Sequence, residues 1–416
     1  LIVVAFHIDL ITRDTNIWDP QASTHGLLTS LVLSGGSGVT LFFVLSGFLL
    51  FLPYARALLF VEAWPSTRQF YARRALRIIP AYYITLLLLL IFPVLQPQIL
   101  RNMSLPDIVI FLTFLMDSVQ ETVQKINGPF WTLAVEWQFY MLLPLMVLGM
   151  RLAVRRCISP QRRLRVVVGC LLLLMAWGIF WRAWGNTFAG TNPTPGVQSV
   201  LYFLFYGSNG KYLEDFAVGM LVCLIYVYAQ RAGRERLVRW LETKSFWLWG
   251  SGIVLLFYVA TSWPLSIFGP QFVYNAISEL LFSCGYGLCI LAILFNTRIL
   301  SRLFSWQPLC ALGKISYSLY MWHLPLLIIL MVNIQQRFSG GNSLAIYALY
   351  WCYVGLVIIP FSANFYRWFE QPGIALAARI KKKRTVPVAP KFRPSVLEKQ
   401  EIFSGQELLP REKVSR

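Results

Sequence analysis

The sequence predicts an all-α, polytopic bundle of transmembrane helices, and three observations carry that prediction. Hydrophobic residues make up 57% of the 416 positions and charged residues only 13%, against about 45–50% and about 25% in ordinary soluble domains. The apolar residues gather into ten stretches, and a helix rising about 1.5 Å per residue needs about 20 of them to cross about 30 Å of hydrocarbon. Lysine and arginine cluster between those stretches in alternation, the topology signal of a membrane protein. The 15 Trp and 30 Phe suit a chain that needs many interfacial anchors.

The first stretch, residues 1–11, opens at Leu1 with no initiator Met and no signal-peptide pattern, so further residues are expected upstream. The others run over 36–55, 77–95, 130–150, 166–184, 212–230, 246–262, 276–296, 315–334 and 345–366. Residues 105–117 are apolar but too short to cross, with Asp107 and Asp117 near their ends, and read as an interfacial or re-entrant helix. The clusters Arg56–Arg77, Arg151–Arg165, Arg231–Lys244 and Arg298–Lys314, with the tail from Arg367, hold 31 of the 37 basic residues. Only Arg13, Arg101, Lys125, Arg182, Lys211 and Arg337 are left for the opposite loops. The positive-inside rule places the rich side, and with it both chain ends, in the cytoplasm of a multi-pass protein of the cell (inner) membrane. Counting 105–117 as a further span would scatter the clusters over both faces, so ten spans are expected. Residues 1–370 form one membrane domain. Residues 371–416, basic and proline-rich, read as a disordered tail drawn to anionic headgroups.

The net charge of +19 does not point to nucleic acid, because the charges sit in short inter-span clusters and the tail rather than on a soluble basic face. The seven cysteines show no C-x-x-C pair and read as small buried hydrophobes. Zinc spacing and a phosphate-cradling glycine loop are both missing from the sequence, so neither a metal nor a permanently bound cofactor is expected. Internal repeats, and the paired broken helices that transporters use, are likewise not seen.

Ionisable side chains inside a bilayer cost several kcal/mol, so each needs a reason. His7 lies near the outer end of the first span and Glu136 a few residues into a span that enters from outside, Trp131-Thr-Leu-Ala-Val-Glu136. Their similar depth suits an imidazole–carboxylate pair in which Glu136 sets the tautomer of His7, or a structural hydrogen bond between helices. Arg74 and Arg77, three apart, share a helix face at the cytoplasmic mouth, with Arg73 adjoining; guanidinium forks there suit phosphate, or simply anchor to headgroups. His323 precedes Pro325, which frees a backbone carbonyl and makes that depth locally polar. Glu214, Asp215 and Glu279 read as interfacial acids at outer span ends, and His25 and Asp19 carry no pattern. Ser46 lacks the G-x-S-x-G turn of a nucleophile, and beside Gly47 it reads as a close-packing serine.

Five segments taken together resemble the membrane acyltransferase type 3 family, integral-membrane O-acyltransferases of bacterial glycans and related polyketides. They are the span around His7, Phe42-Phe-Val-Leu-Ser-Gly-Phe48, Phe70 to Tyr83 with its arginines, Trp131 to Tyr140 with Glu136, and Gly313 to Pro325 with Ser316, Tyr317 and His323. The match covers about residues 1–370. It implies an acyl-CoA donor, acetyl-CoA foremost, on the cytoplasmic side and a carbohydrate or glycan-like acceptor hydroxyl reached from outside. It also implies His7 as base, Glu136 as its polar partner or an acceptor contact, and Arg73, Arg74 and Arg77 as donor-phosphate ligands. Ser316, Tyr317, His323, Trp131, Ser46 and Glu279 are left as candidates for acceptor contact or structural polar roles. An arginine that the family carries upstream of the histidine would fall before residue 1. The rival readings are a transporter or flippase of a lipid-linked glycan, and a non-catalytic membrane scaffold.

Overall fold

The computed structural model describes residues 1–14, 27–92, 103–188, 194–207, 210–231, 233–265, 271–296, 299–335 and 343–382. Every regular element among them is helical. Among the described residues eight helices are long and apolar enough to cross a membrane, and they cover eight of the ten expected spans. The other two fall on shorter helices, Ile2–Asp14 of 13 residues and Leu213–Ala229 of 17. Apolar character runs all round these helices, as it does when the solvent is lipid. On Phe130–Val154 the outward side chains Leu142, Leu145, Leu148 and Leu152 are exposed, while Phe139, Leu143, Val147 and Met150 are buried.

Two glycines bring the centre of the bundle together. A Cβ on Gly47 of the Gly38–Phe60 helix would lie 2.2 Å from the Phe216 carbonyl oxygen, and one on Gly219 of Leu213–Ala229 would lie 2.0 Å from that of Val44. The backbones therefore meet directly, the packing that small residues permit in lipid. Phe139 and Phe216 stack beside the contact with centroids 3.8 Å apart. Gly219→Ala is expected to cost about 1–3 kcal/mol by overpacking. A lowered melting temperature and a broadened size-exclusion profile in detergent would register it; an unchanged melt would contradict the contact.

Prolines inside helices free carbonyls that other elements then approach. Pro325 has no N–H for the carbonyl four residues earlier, and Asn127 Nδ2 donates to that oxygen, Met321 O, at 2.8 Å. Pro80 likewise frees Leu76 O, and Gly373 packs so close that a Cβ there would lie 2.1 Å away. That contact corrects the expected tail boundary. Gln371–Lys382 is a helix seated on Thr67–Ile91, with Ala377 buried, so the bundle continues 12 residues past 370. The remainder of the expected tail lies outside the described residues, as do Asp19 and His25.

The 105–117 segment forms an eight-residue helix, Leu105–Leu112, followed by turns that lead into the Phe130–Val154 helix. A capping box opens it: Asp107 N donates to Ser104 Oγ, and Ser104 N donates to Asp107 Oδ2 at 2.8 Å. Lys125 Nζ donates to the same carboxylate at 2.5 Å. Lys125, with the Ser104 cap, holds the Asp107 carboxyl down to about 2, below the usual carboxylate range. A depressed folded-state pKa contributes stability that is complete above the unfolded value of about 3.9. It is lost as pH falls towards about 2. The melting-temperature gap between wild type and Asp107→Asn should therefore be largest above about pH 4 and close below it; a gap that grows on acidification would refute the assignment.

Candidate active site

A cavity of about 620 Å³ opens among Gly38–Phe60, Thr67–Ile91, Phe130–Val154 and Ser316–Gln335, with Leu1 and Ile2 at the start of the first helix and Leu309, Leu312 and Gly313 of Gln307–Lys314 also on its wall. Apolar side chains such as Phe42, Leu45, Leu49, Leu133 and Leu319 supply most of its wall. Its polar groups are the residues singled out above: Ser46, Arg74, Arg77, Glu136, Ser316 and Tyr317, joined by Thr132, Tyr140 and Tyr320. Arg73 does not line it, because one residue along a helix turns the side chain by about 100°, whereas Arg74 and Arg77 share a face.

Glu136 is held from two sides. Ser46 Oγ donates to its Oε1 at 2.7 Å, and the Tyr140 hydroxyl, one turn along the same helix, makes a short hydrogen bond to the same oxygen. Arg74 lies over the Tyr140 ring, with its Cζ 5.9 Å from the centroid, and its buried Nε makes no hydrogen bond among the described residues. Tyr317 donates from its hydroxyl to Ile78 O at 3.3 Å, tying the Ser316–Gln335 helix to the arginine helix. A pair of guanidinium groups and a carboxylate thus share one mostly apolar chamber. In lipid, that combination marks a place built for a polar ligand.

His7 and Glu136 do not pair, which overturns the expected imidazole–carboxylate contact. The carboxylate is taken by Ser46 and Tyr140, and the imidazole faces another imidazole. His7 Nδ1 lies 2.8 Å from Val3 O and 3.3 Å from His323 Nε2, with the two rings edge to face at a centroid distance of 4.9 Å. Similar depth does not make side chains meet when their helices present different faces. Neither histidine lines the cavity. Tyr320 stands between: it is on the cavity wall, its ring centroid is 5.6 Å from that of His323, and its hydroxyl is 2.8 Å from Thr132 Oγ1. Tyr140 and Tyr320 were legible only as neighbours, one turn from Glu136 and one turn before His323.

Trp131 and Glu279 are not brought to the cavity. Trp131 packs on Tyr212, centroids 5.4 Å apart, and Glu279 accepts from Thr40 Oγ1 at 2.7 Å. Glu214 and Asp215 are buried rather than interfacial, at 1% and 0% exposure. Their companion is Arg182, expected in a loop but set inside Pro160–Asn186, where its Nε donates to Glu214 Oε1 at 2.7 Å. Ser283 Oγ donates to Asp215 Oδ1 at 2.7 Å. This second polar knot lies beyond Phe43, whose ring touches Tyr212 at 5.0 Å.

A family described as an acyltransferase domain matches residues 1–367. The chain belongs to this acyltransferase family. Among its relatives, the peptidoglycan O-acetyltransferase OatA of Listeria monocytogenes is 27% identical over 312 residues, covering 70% of this chain and 45% of that protein. YrhL of Bacillus subtilis is 24% identical over 367 residues, 81% of this chain and 50% of that protein. The O-acetyltransferase OatA of Staphylococcus aureus is 24% identical over 412 residues, 90% of this chain and 59% of that protein. The chain therefore spans about half the length of these curated relatives. No solved structure matches it. The family match reaches both parts of the candidate site, the arginine–glutamate cavity and the histidine pair.

Proposed function

We propose that this chain is the membrane part of an O-acyltransferase of the cell membrane. It moves an acyl group, acetyl foremost, from acyl-CoA to a hydroxyl of peptidoglycan or a related glycan. The observation that carries the reading is the cavity where Arg74, Arg77 and Glu136 meet between apolar walls, one aromatic ring away from two histidines. Arg74 and Arg77 hold the donor's phosphates, the apolar wall receives its acyl arm, and the Ser46- and Tyr140-locked Glu136 contacts a polar part of either substrate. His7 removes the proton from the acceptor hydroxyl as the oxygen attacks the thioester carbonyl. The C–O bond forms, the C–S bond breaks, and the imidazolium returns the proton to the departing thiolate. The peptidoglycan acceptor is suggested by the names of the Listeria and Bacillus relatives.

Purified protein supplied with acetyl-CoA and soluble peptidoglycan fragments is expected to release CoA only when both are present. Arg74→Ala and Arg77→Ala each remove charge-assisted contacts worth about 1.5–3 kcal/mol, so donor KM should rise about ten- to a hundredfold with each. Glycan movement across a vesicle membrane without CoA release would replace this reading with a transporter. Unchanged donor KM in both variants would move the donor away from the cavity.

A further inference from the structure

We infer that His323 is a positioning residue that, together with the Val3 carbonyl, fixes the tautomer and aim of the His7 ring, leaving Nε2 of His7 as the basic atom. The inference rests on the reading of His7 as the base. It follows from counting donors and acceptors along one chain of contacts. Nδ1 of His323 lies 3.2 Å from Leu319 O and 2.8 Å from Tyr320 O. Carbonyl oxygens only accept, so that nitrogen carries the proton. In a neutral ring Nε2 of His323 then holds a lone pair, and it faces Nδ1 of His7 at 3.3 Å. The same Nδ1 is 2.8 Å from Val3 O. An unprotonated Nδ1 would set its lone pair against two acceptors at once, so His7 carries its proton there, shared between Val3 O and His323. The lone pair of His7 is therefore on Nε2, which makes no hydrogen bond among the described residues.

The surroundings keep His323 still enough for this task. It is 1% exposed. The carbonyl of Met321, freed by Pro325 two residues along, is fastened by Asn127. When His7 takes the acceptor's proton on Nε2, its Nδ1–H bond to His323 becomes charge-assisted and strengthens. His323 thus favours the state in which the proton has moved, not the resting ring. No proton passes to His323, whose Nδ1–H stays on its two carbonyls.

The test compares His323→Leu, which removes the acceptor, with His323→Gln, whose amide oxygen reaches the place of Nε2. His323→Leu is expected to lower kcat about ten- to a hundredfold, the effect of losing an outer partner of a functional histidine, with KM for acetyl-CoA and glycan unchanged. His323→Gln should restore kcat to within a few-fold of wild type. Nitrogen-15 spectra of ring-labelled wild-type protein should show His7 protonated at Nδ1. A proton found on Nε2, or His323→Leu as fast as wild type while His7→Ala is inactive, overturns this inference alone. Activity retained in His7→Ala overturns the underlying reading instead. If His323→Leu does not fold, the spectra and the glutamine variant decide.

Discussion

His7→Ala is expected to lower the rate of acyl transfer by about 10²–10⁴-fold, the usual contribution of a positioned general base. The loss should appear in kcat. Donor KM should hold, because His7 does not line the cavity where Arg74 and Arg77 wait. The variant should also fold, since His7 is only half-buried and its removal strands no ion pair. CoA release in detergent, with peptidoglycan fragments as acceptor, measures both constants. A wild-type rate would end the assignment of His7 as base, whatever the fate of the arginines.

Arg182→Met is expected to cost about 3–5 kcal/mol, because it leaves Glu214 charged and buried without its partner. The pair is deep, with side-chain exposures of 6% and 2% and Arg182 Nη2 2.5 Å from Glu214 Oε1. The guanidinium also sits over the Tyr212 ring, 4.5 Å from its centroid, and Asp215 and Glu279 bear on the same charge. Adding Glu214→Gln should recover part of the loss, since it removes the buried charge that the arginine pairs directly, while Asp215 and Glu279 still lack that cation. Melting temperatures in detergent, with folded yield, report both variants. A single variant as stable as wild type would mean that water or another cation already serves Glu214.

Much of the candidate site was readable because lipid makes polar residues scarce. Arg74 and Arg77 at i and i+3 had to share a face, and they do share the cavity wall. The carbonyl freed by Pro325 had to find a donor, and Asn127 supplies it. Other parts depended on helix rotation, which hydropathy does not record. Depth brought His7 and Glu136 to one level, but each turned to a partner that depth does not choose, His323 for one and Ser46 with Tyr140 for the other. Arg182, counted with loop arginines, proved to be the cation of a buried knot because the Pro160–Asn186 helix runs four residues beyond it. Gln371–Lys382 read as tail because its composition is basic, yet Gly373 and Ala377 give it a face that packs.

Composition and spacing alone determined that this chain is an all-helical membrane protein, that its basic clusters alternate with apolar stretches, and that a few polar residues such as His7, Glu136 and His323 fall within those stretches. Those properties follow from one-dimensional quantities: the length of an apolar run, the placement of charge, the period of a helix. Only the tertiary structure decided which of those residues meet. Meeting depends on how each helix is turned about its own axis, and that is set by contacts such as Gly47 on Phe216 and Gly219 on Val44, between positions far apart in the chain.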